Sequence, residues 1–438
     1  MGEVIDGTHL WFDKWVLSYL EGVQQGDPLG PLLFSMVIHE LVRKIAAECP
    51  NLPLHRWYLD DGIIGGTKNE VLRAYTIISQ FGPELGLFLN ISKCEIILHT
   101  KVATTESPRH VTSDPESYVH SFEIEPDFPG DMIRIEGGFE ILGSPIGDME
   151  FCLRYVSRKC ESSAFRAMNA IEHIEDCQVA STLLRLTSSF CKIVHFLRGV
   201  PPIFIIDILS RFDQQLHHTF EKCVGLSLGN TQWVQASLSL SKGGLGLRSA
   251  VKHAASAYIS SVSFSALEDG WDMTRAVGWS ESFAEFNNQV TEVNQLDNVC
   301  VTVPWRQKEL SKLVEEADFI GLLSSYKIRD QARLRALTCK GASAWLNAIP
   351  SFHMRQVFPN AQYVILLRLW LGLDVYDSEF PCPTYGNHVD VSGFHALTCK
   401  SGGYLGVRHN SLRDEFFMTC QAAQLASKRE TLFLLADS

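Results

Sequence analysis

Apolar residues in the stretch after Pro28 recur every four positions, at Leu33, Val37, Leu41 and Ile45, while His39, Glu40, Arg43 and Lys44 take the polar faces. That spacing predicts an amphipathic helix. Pro28 and Pro31 suit its first turn, and Cys49-Pro50-Asn51 ends it. Next, Arg56-Trp57-Tyr58-Leu59 and Ile63-Ile64 flank Asp60-Asp61-Gly62. An Asp-Gly pair between two apolar runs predicts a β-hairpin. A helix is expected over Val71 to Phe81, and strands at Leu87-Phe88-Leu89 and Glu95-Ile96-Ile97-Leu98. Residues 101 to 130 are rich in Ser, Thr, Pro and Asp and read as a surface insertion. Residues 1 to about 20 give no clear element boundary.

After Gly147 the pattern turns helical. Long helical segments fill 160 to 225, broken at Pro201-Pro202, and a turn at Gly243-Gly244-Leu245-Gly246-Leu247 leads into further helices to about residue 375. Those glycines lack the Lys-Ser/Thr of a phosphate-binding loop, so a turn entering a helix is the better reading. The last sixty residues read as loop-rich. No internal repeat or low-complexity tract is present.

The 438 residues allow two or three domains, and 46% hydrophobic with 20% charged residues is ordinary for a globular protein. No stretch approaches the ~18 apolar residues of a membrane helix, and Met1 to Asp6 does not read as a signal peptide. Twelve cysteines without a secretory signal read as reduced thiols of an intracellular protein, mostly buried, as at Cys160, Cys177, Cys191 and Cys223. A net charge of −12 counts against a phosphate-gripping surface. The most basic segment runs from Lys327 through Arg329, Arg333 and Arg335 to Lys340, and a solvated helix face explains it as well as nucleic-acid binding does.

Chemistry concentrates at Tyr58-Leu59-Asp60-Asp61. A tight turn pushes two adjacent carboxylates outward, where water, a base or a cation must offset their repulsion. Magnesium takes hard oxygen ligands, and two-metal phosphoryl transfer uses carboxylates on neighbouring strands to hold ions roughly 3.5–4 Å apart. An isolated Asp-Asp-Gly is also simply an exposed hairpin turn. Upstream, however, stands Gly22-Val23-Gln24-Gln25-Gly26-Asp27-Pro28-Leu29-Gly30-Pro31-Leu32-Leu33-Phe34. Downstream come Gly86-Leu87-Phe88-Leu89-Asn90-Ile91-Ser92-Lys93-Cys94-Glu95 and Phe139-Glu140-Ile141-Leu142-Gly143-Ser144-Pro145.

In this order the four strings resemble motifs B, C, D and E of the reverse transcriptases of retrotransposons without long terminal repeats. The resemblance implies that Asp60 binds catalytic Mg2+ and Asp61 supports it, and that Gln25, Gly26 and Tyr58 line the substrate side. Lys93 would sit near the leaving pyrophosphate. It also implies an RNA template, a DNA primer and, if the family role is retained, a nuclear setting. The family's motif A aspartate, on the strand paired with the Asp-Asp hairpin, has no counterpart. Asp6 and Asp13 are the only aspartates before Gly22, and neither leaves room for the strand and helix that should intervene. The fingers have no counterpart either, so the expectation is a chain cut short that does not polymerise DNA alone and needs its missing half.

In the tail, Cys382-Pro383-Thr384, His395 and Cys399 are similar to the Cys-Cys-His-Cys zinc knuckle of elements with a restriction-like endonuclease. Thr384 stands where the family has a second cysteine, and a neutral hydroxyl is a poor zinc ligand. Either His388 substitutes, giving Cys382, His388, His395 and Cys399 for Zn2+, or the site is degenerate. The endonuclease residues expected after Arg408-His409-Asn410 do not follow. The fold expected is α+β. It comprises a partial palm with an antiparallel sheet over 1–150, a helical thumb over 151–262, a helical connection over 263–375 and a knuckle-like tail over 376–438. A remnant that binds nucleic acid or a partner without catalysis is the alternative reading.

Overall fold

The computed structural model describes residues 8–12, 14–19, 26–97, 133–135, 138–297, 304–384, 386, 388–399 and 404–429. Gln25 and the segment 101–130 lie outside them. The chain divides into two units, Met1–Glu136 and Gly137–Ser438.

In the first unit a hairpin joins β1 (Thr8–Phe12) to β2 (Trp15–Tyr19), with Phe12 paired to Trp15. Sequence reading missed it, although two runs rich in aromatic and β-branched residues around Asp13-Lys14 carried the signal. Helix α1 (Gly30–Glu48) follows, then β3 (Leu54–Tyr58), β4 (Asp61–Gly65) and α2 (Lys68–Phe81). A capping box fixes the start of α2: Thr67 and Glu70 bond reciprocally, satisfying donors that the helix leaves open. The core closes Ile38, Leu41 and Ile45 of α1 on Ala74 and Ile77 of α2, with Trp57 and Ile64 of the hairpin packed against them.

Two expectations for this unit are corrected. Leu33 and Val37 are exposed. A strict spacing of four drifts about 40° around a helix at each step, so a straight contact line alternates three and four, as Ile38, Leu41 and Ile45 do. Leu87-Phe88-Leu89 is not a strand. The Leu87 amide donates to Gly82 and closes the turn after α2, and Phe88 is exposed with no neighbouring strand. Strand β5 (Glu95–Ile97) does form, paired in parallel with β6 (Ile133–Ile135).

The second unit opens with an antiparallel hairpin of β7 (Gly138–Ile141) and β8 (Ser144–Gly147). Helices α3 (Met149–Lys159), α4 (Arg166–Ile171), α5 (Cys177–Leu183) and α6 (Val194–Gly199) follow. Pro202 opens the long α7 (Pro202–Val224), as the Pro-Pro break predicted. Then come α8 (Asn230–Ser237), α9 (Ala250–Asp269), α10 (Trp279–Gln289), α11 (Gln307–Ser325) and α12 (Ile328–Leu337). Helices α13 (Ala344–Asn347) and α14 (Asn360–Leu371) come next, ahead of the tail. Most of the core gathers around Ile205, Leu209, Phe212 and Leu216 of α7, and a second cluster joins Ile259 of α9 to Phe286 of α10 and Val314 of α11.

The Gly-rich turn is a turn into a helix, as expected. Gly244 is obligatory there, because a Cβ would strike the carbonyl of Leu238. Beside it sits a polar hub centred on the fully buried Gln235 side chain. The Gln235 amide donates to the carbonyls of Gly243 and Trp370, both at 3.0 Å. Its Oε1 accepts from Tyr326 at 2.9 Å and from Arg333 at 3.1 Å. Arg333 is thus half-buried and tied to the hub rather than part of a fully solvated basic face.

The tail has a short hairpin of β9 (Phe380–Pro381) and β10 (His388–Val389), then α15 (Phe394–Thr398) and α16 (Tyr404–Ala422). Helix α16 corrects the loop-rich reading. Most of its described side chains are exposed and its apolar residues form no single stripe, so periodicity could not reveal it. All sheets among the described residues are two-stranded, which makes the fold α+β and mostly helical. No described helix is long and apolar enough to cross a membrane. No disulfide joins the eleven described cysteines to one another. Cys160 and Cys223 are buried, and burial pushes both thiols up to about 11. Cys191 is exposed, against the expectation of burial.

Candidate functional sites

In the β3–β4 hairpin Tyr58 pairs with Asp61, so the two-residue turn is Leu59-Asp60. The turn lies two residues earlier than the Asp61-Gly62 signal placed it. Leu59 adopts φ +54°, a left-handed conformation that a leucine rarely takes and that marks local strain. Gly62 serves another purpose than turning. It faces Trp57 across the ladder, and a Cβ on it would stand 2.6 Å from the indole ring. The missing side chain lets Trp57 lie across the strand and reach the core, where its Nε1 donates to His55 Nε2 at 2.6 Å. Burial, and secondarily Arg56, holds the His55 imidazole below its ordinary value, in keeping with its acceptor role. With Trp57 anchored inward, the period of two sends Tyr58 outward, and Asp60 and Asp61 stand exposed at the tip.

Gly26 is exposed at φ +98°, a conformation that glycine allows. Directly after it, Asp27 Oδ1 accepts from the Leu29 amide at 2.9 Å and turns the chain into α1. Lys93 ends a short 3₁₀ turn and is exposed. Among the described residues no third Asp, Glu, His or Cys converges with Asp60 and Asp61.

Residues 16–143 match the family model described as reverse transcriptase (RNA-dependent DNA polymerase). The chain carries a reverse transcriptase domain. No curated protein matches the chain. The matched segment includes the Asp-Asp hairpin and runs into the β7–β8 hairpin.

At that second hairpin the reverse transcriptase segment ends in a turn of Leu142 at φ +48° and Gly143 at φ +79°. Two side chains from the following helices hold the turn. His195 Nε2 lies 3.0 Å from the Leu142 carbonyl, and the Tyr155 hydroxyl donates to the Gly143 carbonyl at 3.3 Å. Burial pushes the Tyr155 hydroxyl well above its ordinary value, and Glu140 adds to the effect, so it stays protonated as a donor. Neither residue was legible in the sequence, because both lie outside the motif and meet it only through packing.

In the tail Cys382, His395 and Cys399 bring their ligand atoms within 4.8 Å of one another. Both cysteines are buried. His388 stands apart, paired through Nε2 with Glu379 at 2.9 Å. The geometry comes from two elements: Cys382 follows β9, while His395 and Cys399 lie four apart along α15 and just past it. Two sulfurs and one imidazole suit zinc in donor type and leave one tetrahedral position for a further ligand.

Proposed function

We propose that residues 16–143 act as the part of a retrotransposon-type polymerase palm that presents the metal-binding turn, with Asp60 a ligand for magnesium and Asp61 its support. The observation that carries this reading is the strained Leu59-Asp60 turn, whose carboxylates are held at the tip by the Trp57 anchor. Gly26 and Tyr58, both exposed, are the proposed template- and nucleotide-side surfaces, together with Gln25, and Lys93 is the proposed partner of the leaving pyrophosphate. Two exposed carboxylates do not make a two-metal site. Among the described residues the third ligand is lacking, so we derive no catalytic step through magnesium. The chain by itself is therefore expected to give no primer extension on an RNA template with magnesium. Extension that is template-dependent and lost in Asp60→Ala would overturn that expectation.

We further propose zinc as the occupant of the Cys382, His395 and Cys399 cluster. The proposed role is to fasten the tail, since bound metal adds folding free energy to small hairpins. One tightly held zinc per chain, lost in Cys399→Ser, is the expected result of metal analysis. No zinc in the purified chain would leave the cluster a degenerate knuckle.

A further inference from the structure

Three side chains tie the candidate zinc cluster to the helical part of its own unit. Arg329 on α12 points its guanidinium into the turn that joins β10 to α15. Its Nη1 lies 3.2 Å from Asp390 Oδ2, and its Nη2 donates to the Ser392 hydroxyl. The Ser392 hydroxyl in turn donates to Asp390 Oδ2 and accepts from the Phe394 amide at 3.4 Å, the first residue of α15. The guanidinium also stands over the Phe394 ring, 5.1 Å from its centre. From the other side, the amides of Val375 and Tyr376 both donate to the Val391 carbonyl, at 2.8 and 3.0 Å.

We infer that Arg329 is a positioning residue for metal binding: by gripping Asp390 and Ser392 it sets the orientation of α15, and so holds His395 and Cys399 against Cys382. The inference rests on the zinc reading above. Its physical basis is that α15 is a single turn and a half with little packing of its own, so its direction is fixed by the loop that leads into it. A planar, forked donor reaches two acceptors on that loop at once, which an ammonium cannot do. Groups that orient metal ligands from behind commonly change affinity by about 10–100-fold. By linkage, a bound metal tightens the Arg329 grip as much as the grip tightens the metal. Four residues along the same helix, Arg333 enters the Gln235 hub, so α12 joins the tail to the core of its unit.

The test is zinc affinity of the full chain, measured by competition with a chromogenic chelator, together with the visible spectrum of the cobalt(II)-substituted protein. Arg329→Ala should weaken zinc by about tenfold, the low end of that range because the guanidinium is half-exposed. It should also shift the cobalt bands, while Arg329→Lys rescues only part of the loss. A merely structural role would lower thermal stability without moving the cobalt spectrum. If wild type binds zinc that Cys399→Ser abolishes, and Arg329→Ala binds it equally well with an unchanged spectrum, the positioning role is overturned and the zinc reading stands. If wild type binds no zinc, both are overturned.

Discussion

Replacing Gln235 with leucine tests the buried hub directly. The two side chains are similar in size, so the substitution removes hydrogen bonds without opening a large cavity. Four bonds disappear, to Gly243, Trp370, Tyr326 and Arg333. Arg333 keeps the Trp370 carbonyl and lies 3.3 Å from Asp330, so neither it nor that carbonyl is orphaned. The Gly243 carbonyl loses its amide donor and the Tyr326 hydroxyl loses its Gln235 acceptor. At about 1–3 kcal/mol for each of these two unsatisfied groups, the expected loss is about 2–6 kcal/mol. For a unit of this size that corresponds to a fall of about 3–10 °C in Tm. Because the chain has two units, calorimetry suits the assay: the transition of the helical unit should move and the other should not. Gln421→Leu, on the exposed side of α16, serves as the control and should change stability by less than about 0.5 kcal/mol. A loss below about 1 kcal/mol in Gln235→Leu would refute the reasoning that the Gly243 and Tyr326 groups are left unsatisfied.

Acid should weaken the helical unit through His253, whose imidazole burial, with Arg248 and Lys252 adding, depresses to about 3. The stability it contributes is complete above the unfolded value near 6.5 and is lost as pH falls from there toward 3, with about 2 kcal/mol gone at pH 5; His253→Leu should flatten that slope in urea titrations, and an unchanged slope would count against it. Gly62→Val should displace the Trp57 indole and cost about 1–3 kcal/mol in the first unit, read from tryptophan emission and denaturation together. Asp60→Ala, by contrast, removes an exposed carboxylate and should leave stability within about 0.5 kcal/mol, so that a larger change would mean the turn depends on that side chain.

Local chemistry made much of the chain legible. The Asp-Asp tetrapeptide, the α2 helix, the Pro-Pro break before α7 and the turn ahead of α9 all depend on residues near one another in sequence, so propensity and spacing suffice to find them. Periodicity also located α1, but not its inward face, which only the partner helix α2 selects. The glycine at 62 was legible as a hairpin signal for the wrong reason: its role is to clear space for Trp57, and cross-strand contact is invisible in a linear string. The same holds for the tail. Cys382, His395 and Cys399 could be named from the sequence, yet so could His388, and only the fold separates the three that converge from the one that pairs with Glu379. The roles of Gln235, His195 and Arg329 were not legible, Arg329 showing only as one member of a basic segment, because each bonds to partners more than fifty residues away, and such contacts exist only once the hydrophobic core has set the distances.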